Sequence, residues 1–252
     1  MEKKYIKFFD GYRAAYGVAN VKNAKRDPES GKLKLEKGDY RWNYQELTDQ
    51  VYLDHLAGTQ SIGVQACNEN AEARFGVIDV DPKNYADFNK KFIIDKIQEY
   101  KLPLIPVLSK SGGLHLYLFI NEFILSTVVV SFLSNLLSLF NLKPDCEIFP
   151  KQTQLTKDPE TGIIKPGQFI NLPYFKKSER VGINLDGIPF TFEQFIQVVE
   201  SNTVSAKNLK DITESIENKD LEGVDEEFDD GPPCLAHLSK IMKNPGFDGK
   251  DR

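Results

Sequence analysis

Residues 75–81 read Phe-Gly-Val-Ile-Asp-Val-Asp, an apolar run that stops on two acids. A stretch this apolar must be buried, and Pro82 with Asn84 ends it abruptly, so it reads as a core strand that surfaces at its C-terminal end. Side chains alternate along a strand, which places Asp79 and Asp81 on one face and turns Val80 the other way. Two carboxylates so placed repel unless a cation or a shared proton relieves them. Oxygen-only ligands favour magnesium or manganese over zinc. The alternative is a solvated turn that starts at Asp81-Pro82.

The segments around this strand set the fold class. Residues 85–101, YADFNKKFIIDKIQEYK, carry Tyr85, Phe88, Phe92, Ile93, Ile97 and Tyr100 at helical spacing. LIPVLSKSGGLHLYLFI reads as strand, glycine turn, strand, and STVVVSFLSNLLSLFNL as a buried helix. CEIFP is a short strand, KQTQLTKDPETGIIKPGQ a long polar connection and FINLPYF another buried segment. Upstream, a helix is expected over Tyr44–Ala57, closed by Gly58, and SIGVQACN as a buried strand. KRDPESGKLKLEKGD reads as a hairpin or exposed loop. Hairpins mixed with crossover helices indicate an α/β (α+β) domain around a mixed sheet. Its core is expected over residues 40–205.

Composition excludes little. The 252 residues are 40% hydrophobic and 27% charged, as in an ordinary globular protein. No apolar stretch approaches the length of a membrane span, so a cytoplasmic protein with no membrane partner is expected. Cys67, Cys146 and Cys234 form no CxxC unit and only three histidines accompany them, so no structural zinc is expected. Cys67 and Cys146 read as small core residues. The net charge of -5 conceals an uneven distribution: residues 211–230 carry ten acids and one lysine, which leaves the remainder mildly basic. A positive groove is therefore compatible with the acidic total.

Two more clusters bear on chemistry. In LSKSGGLHLYLF, Lys110 and Ser111 precede Gly112 and Gly113, and His115 opens the next strand. Glycines let backbone N–H groups turn toward an anion, with Ser111, His115 and Lys110 as further donors and charge. A plain hairpin turn, with His115 held by a backbone carbonyl, explains the same residues. Glu147 is the one acid in a short apolar strand and is followed by Lys151 and Gln152. If buried, it needs a metal or a basic partner; if the strand is an edge, it faces solvent. Asp145 is the substitute ligand.

Taken together, VIDVDP, SKSGGLHLYLF, CEIFPKQ and GQFINLPYF resemble the archaeo-eukaryotic primase superfamily. The likeness is greatest to primase-polymerases of CRISPR-associated, conflict-system, phage and plasmid origin. The hDxD motif of that family is matched by Ile78-Asp79-Val80-Asp81 and its SGGxH motif by Ser111-Gly112-Gly113-Leu114-His115. Glu147 is the candidate for its third acid, and Lys151, Gln152 and Asn171 match further elements. The resemblance spans roughly residues 10–205.

It implies an RRM-like catalytic sheet packed with a smaller N-terminal α/β subdomain. It also implies a DNA primase or polymerase that extends a 3′-hydroxyl on a single-stranded DNA template. Two Mg²⁺ or Mn²⁺ ions are expected on Asp79, Asp81 and Glu147. The expected nucleotide-binding residues are Lys110, Ser111, Gly112, Gly113, His115, Lys151, Gln152 and Asn171. Asn171 is expected to fix the sugar or the Glu147 strand. Lys176, Lys177 and Arg180 are candidates for template phosphates, although such clusters are usually solvated surface. Tyr174 and Phe175 either stack on the nucleotide or pack in the core.

Partners implied are template and primer (DNA or RNA), NTP or dNTP, and replication or CRISPR-adaptation proteins. The organisation expected is a catalytic domain over 1–205, an acidic linker over 206–230 and, over 231–252, the start of a truncated C-terminal helical primase module. GPPCLAHL resembles the opening of that module, in which a cysteine can join a metal or iron–sulfur site; Cys234 lacks the companions such a site needs. Two other readings stand beside the polymerase. A non-catalytic nucleic-acid-binding domain needs no convergence of the three acids. A metal-dependent nuclease leaves the SGGLH turn without its triphosphate.

Overall fold

The computed structural model describes residues 1–19, 25–26, 33–34, 40–109, 112–176 and 178–216. Met1–Ala206 form one compact unit. Of the second, Lys207–Arg252, residues 207–216 are helical and the remainder lies outside the described residues. The expected acidic linker and C-terminal module fall mostly or wholly in that remainder.

The chain begins with helix α1 (Glu2–Phe8), strand β1 (Tyr16–Ala19), the two-residue strands β2 (Lys25–Arg26) and β3 (Leu33–Lys34), and β4 (Tyr40–Asn43). Helix α2 (Asp49–Ala57) and β5 (Ser61–Val64) follow. Helix α2 begins five residues later than the sequence suggests, because Leu47 is fully buried and its N–H donates to the Arg13 carbonyl. Gly58, at φ 80°, closes it in the left-handed conformation.

A second array of elements comes next: β6 (Glu72–Val80), a 3₁₀ turn over Pro82–Asn84, α3 (Lys90–Glu99), β7 (Leu104–Leu108) and β8 (Leu114–Leu125). It ends with α4 (Ser126–Leu139) and β9 (Glu147–Phe149). Tyr85 and Phe88 stay outside α3 because the Asn89 side chain accepts from Phe92 N–H and caps the helix there. The polar connection contains a small hairpin, β10 (Thr156–Lys157) with β11 (Ile164–Lys165). Strand β12 (Ile170–Asn171) and helix α5 (Phe192–Asn202) complete the unit.

Two four-stranded sheets organise these elements, in the orders β12-β5-β1-β4 and β7-β8-β6-β9. The second has the β-α-β-β-α-β succession of a split βαβ unit, with every pairing antiparallel. This is the expected RRM-like sheet. One face turns toward α4: a Cβ added to Gly76 would come 2.6 Å from Val129 and 2.8 Å from Leu133. The other face contributes Phe75, Val77, Ile105, Val107, Tyr117, Phe119 and Phe149 to a common core with Phe9, Tyr52, Ile62 and Phe195. Each such burial contributes about 1.5–3 kcal/mol, so this end of the strands is held firmly.

The first sheet is joined to its surroundings at Pro173. Its carbonyl accepts from Tyr5 Oη at 2.6 Å and from His55 Nε2 at 2.9 Å, while His55 Nδ1 accepts from Ile62 N–H at 3.2 Å. That fixes the His55 tautomer and ties the segment after β12 to α1 and α2. Among the described residues no helix is long and apolar enough to cross a membrane.

Candidate active site

Alternation carries the core-facing side of the second sheet out of the interior. On β6 the series runs Phe75, Val77, Asp79; on β8, read backward, Phe119, Tyr117, His115; on β9, Phe149, Glu147. Register pairs Asp79 with His115 on one side and with Glu147 on the other. Side chains of directly paired residues share a face, with Cβ atoms about 4.5–5.5 Å apart. His115, Asp79 and Glu147 thus form one row across three strands, where the apolar core gives way to charge.

Each acid in this region has a basic neighbour. His115 Nε2 lies 3.3 Å from Asp79 Oδ1. Lys151 Nζ stands 2.5 Å from Glu147 Oε1, and Lys83 Nζ 2.5 Å from Asp81 Oδ2. Asp81 also caps the 3₁₀ turn, accepting from Lys83 N–H at 3.2 Å. The solvated-turn role foreseen for it is therefore real and coexists with its place two residues beyond Asp79. Burial opposes charge on Asp79. The His115 hydrogen bond and the fields of His115, Arg180 and Lys151 outweigh it and hold the carboxyl below its ordinary range.

Among the described residues no three His, Cys, Asp or Glu side chains stand close enough together to hold a metal ion. The donor set nevertheless suits a hard cation. Asp79 and Glu147 are paired across adjacent strands, Asp81 follows at the strand end, and all three offer oxygen. Their negative charge is met here by the ammonium groups of Lys83 and Lys151 and by His115.

The glycine turn abuts this row. A Cβ on Gly113 would overlap the Val80 carbonyl oxygen and lie 2.7 Å from Pro82, so only glycine lets β8 begin beside the end of β6. Gly112 adopts φ 85°. Both glycine amides are engaged within the turn: Gly112 N–H donates to the Ser109 carbonyl at 3.1 Å and Gly113 N–H to Ser109 Oγ at 3.0 Å. Here they shape the hairpin rather than point at an anion. Lys110 and Ser111 lie outside the described residues, as does Lys177.

The remaining expected residues divide between cleft and scaffold. Gln152 Oε1 accepts from Gln168 N–H at 2.8 Å and Gln65 Nε2 at 3.3 Å, which ties the segment after β9 to the polar connection and the first sheet. Asn171 pairs with Gly63, and its Oδ1 is buried with no partner among the described residues. Arg180 is half-buried and close enough to Asp79 to lower its pKa, and its buried Nε has no partner among the described residues either. Lys176 is exposed, with its side chain beside Gly58 at the end of α2. Phe175 is buried, and Tyr174 Oη accepts from Gly182 N–H at 3.1 Å; both serve packing.

Sequence reasoning passed over Lys83 and Tyr117. Tyr117 lies two residues from His115 on the same strand face; it is fully buried, its hydroxyl has no partner among the described residues, and burial raises its pKa well above the ordinary range. Alternation from His115 was the signal for Tyr117, and adjacence to Asp81-Pro82 the signal for Lys83.

No curated protein matches the chain. A family model described as the archaeo-eukaryotic primase domain of the TOTE conflict system matches residues 8–184, well over half of the sequence. That span holds the row of His115, Asp79 and Glu147, the glycine turn and β12. The chain therefore belongs to the archaeo-eukaryotic primases, a family of nucleotidyltransferases.

Proposed function

We propose that this protein is a template-dependent primase-polymerase. It adds nucleotides to a 3′-hydroxyl opposite a single-stranded DNA template and releases pyrophosphate. The observation that supports this reading above others is the row His115–Asp79–Glu147, with Asp81 just beyond it. Asp79, Asp81 and Glu147 would hold two divalent cations, magnesium or manganese, which when bound neutralise the triphosphate and lower the pKa of the attacking hydroxyl.

The protein's own groups then have distinct tasks. His115 keeps Asp79 ionised and, as a donor, meets the triphosphate; it is not the general base. Lys110, Ser111 and Lys151 add donors and charge where negative charge grows in the transition state. Gly112 and Gly113 set the turn that leads into His115. Arg180 belongs to this electrostatic group by its influence on Asp79, while Lys176 and Lys177 remain candidates for template phosphates.

Extension of a primed single-stranded template, with pyrophosphate release measured alongside, tests the reading. Asp79→Ala with Asp81→Ala is expected to abolish both while leaving the fold intact. Extension at the wild-type rate would refute it. A non-catalytic binding domain has one observation in its favour, the closure of Lys83 and Lys151 on the acids, and it predicts strand binding without pyrophosphate release.

A further inference from the structure

Gly17 and Gly63 are paired across β1 and β5, and Trp42 faces Gly17 from β4. Asn171 faces Gly63 from β12, so these four positions form one row on one face of the first sheet. The Phe169 ring lies on that row. A Cβ added to either glycine would overlap it. Trp42 meets the ring edge-on at a centroid distance of 5.0 Å, and its indole N–H donates to the Gly167 carbonyl at 2.9 Å.

Glycine in a strand interior costs about 0.5–1 kcal/mol relative to alanine, and two together mark a place where something approaches the backbone closely. Here the approaching group is an aromatic ring set flush into the sheet. Phe169 and Trp42 are only half-buried. Beside them the Asn171 Oδ1 is buried and, among the described residues, has no hydrogen-bond partner.

We propose that Phe169, edged by Trp42, is a stacking platform for one base of a single-stranded nucleic acid. Every base has a π face, so such a platform recognises a strand without reading its sequence. The platform is fastened through Gln152 to the segment that follows β9, on the Glu147 side of Asp79. The glycine turn lies on the other side, at the start of β8. A strand, rather than the triphosphate, therefore belongs on the platform. The proposal deepens the polymerase reading and rests on its cleft.

Binding is measured without divalent cations, so that failure of catalysis and failure of the platform are separate results. The full chain is titrated with a dT oligomer of about 12 nucleotides, a length within the range of single-strand site sizes. The same titration is made with an abasic oligomer of equal length and with dTTP. The signals are anisotropy of labelled strands and emission of Trp42, the chain's one tryptophan. Stacking contributes about 1–3 kcal/mol per base. Phe169→Leu, which keeps an apolar side chain in the niche, is expected to weaken dT binding roughly 5- to 150-fold. Abasic binding should stay unchanged, and Phe169→Tyr should restore dT binding. Equal loss on both strands, no loss on either, or a loss confined to dTTP would each overturn the proposal.

Discussion

His115 and Asp79 stand opposite each other on paired strands, with Nε2 3.3 Å from Oδ1. The ring that the polymerase reading assigns to the triphosphate is thus already bound to the first of the acids proposed to hold metal. Removing the ring removes both the proposed phosphate donor and the leading influence that holds the Asp79 carboxyl below its ordinary range. His115→Ala is expected to weaken incoming-nucleotide binding about tenfold, the scale of one charged hydrogen bond. Equilibrium titration with a nonhydrolysable triphosphate checks this, and unchanged affinity would remove His115 from the phosphate site.

Lys83 and Lys151 neutralise Asp81 and Glu147 in the place where cations are proposed. Lys83→Met and Lys151→Met should therefore tighten Mn²⁺ binding by a few-fold in the absence of nucleotide, because the metal no longer competes with an ammonium group. Titration followed by the Mn²⁺ resonance reads this directly. Weaker metal binding in both variants would show that the lysines do not compete for the acids.

Gly113→Ala pushes a methyl group into the Val80 carbonyl and against Pro82. Backbone cannot swing aside as a flexible side chain can, so a loss of about 1–3 kcal/mol is expected. The ends of β6 and β8 should separate, with extension falling more than the melting temperature implies. Alanine tolerated at full activity would mean that the two strand ends need not touch.

His55 is fully buried, and desolvation lowers its pKa from 6.5 to about 4. The unfolded chain thus binds a proton at a higher pH than the folded one does. Stability from this group is full above pH 6.5 and is lost as pH falls from there toward 4, roughly 3 kcal/mol in all. Urea denaturation at pH 7 and at pH 5 measures it. A conservative replacement such as His55→Gln should flatten this part of the pH dependence, and an unaltered profile would assign the acid lability elsewhere.

Local pattern made much of this legible, and long-range pairing marks where legibility ended. The strand ending at Asp79 and Asp81, the glycine hairpin, helix α4 and the short strand at Glu147 all announce themselves by apolar runs and turn residues. The partner of His115 does not, because a register between β6 and β8 leaves no mark in either segment alone. The same holds for Phe169, whose niche is made by two glycines far apart in the chain. Helix α2 starts later than local propensity suggests, because tertiary burial of Leu47 overrides the preference of the residues before Asp49. Of the two readings of the glycine turn, the hairpin accounts for both amides, which donate to Ser109.

Asp79, His115 and Glu147 lie at one end of three paired strands whose same-face neighbours, Phe75, Phe119 and Phe149, sit in the aromatic core. Asp79 and His115, anchored this way on the two central strands, are expected to share the slowest-opening part of the molecule. Their amides should exchange with solvent only when the whole domain melts, and activity and foldedness should vanish at the same denaturant concentration. In the unsubstituted protein, denaturant should therefore reveal no half-loosened state in which the scaffold survives and the chemistry alone is lost.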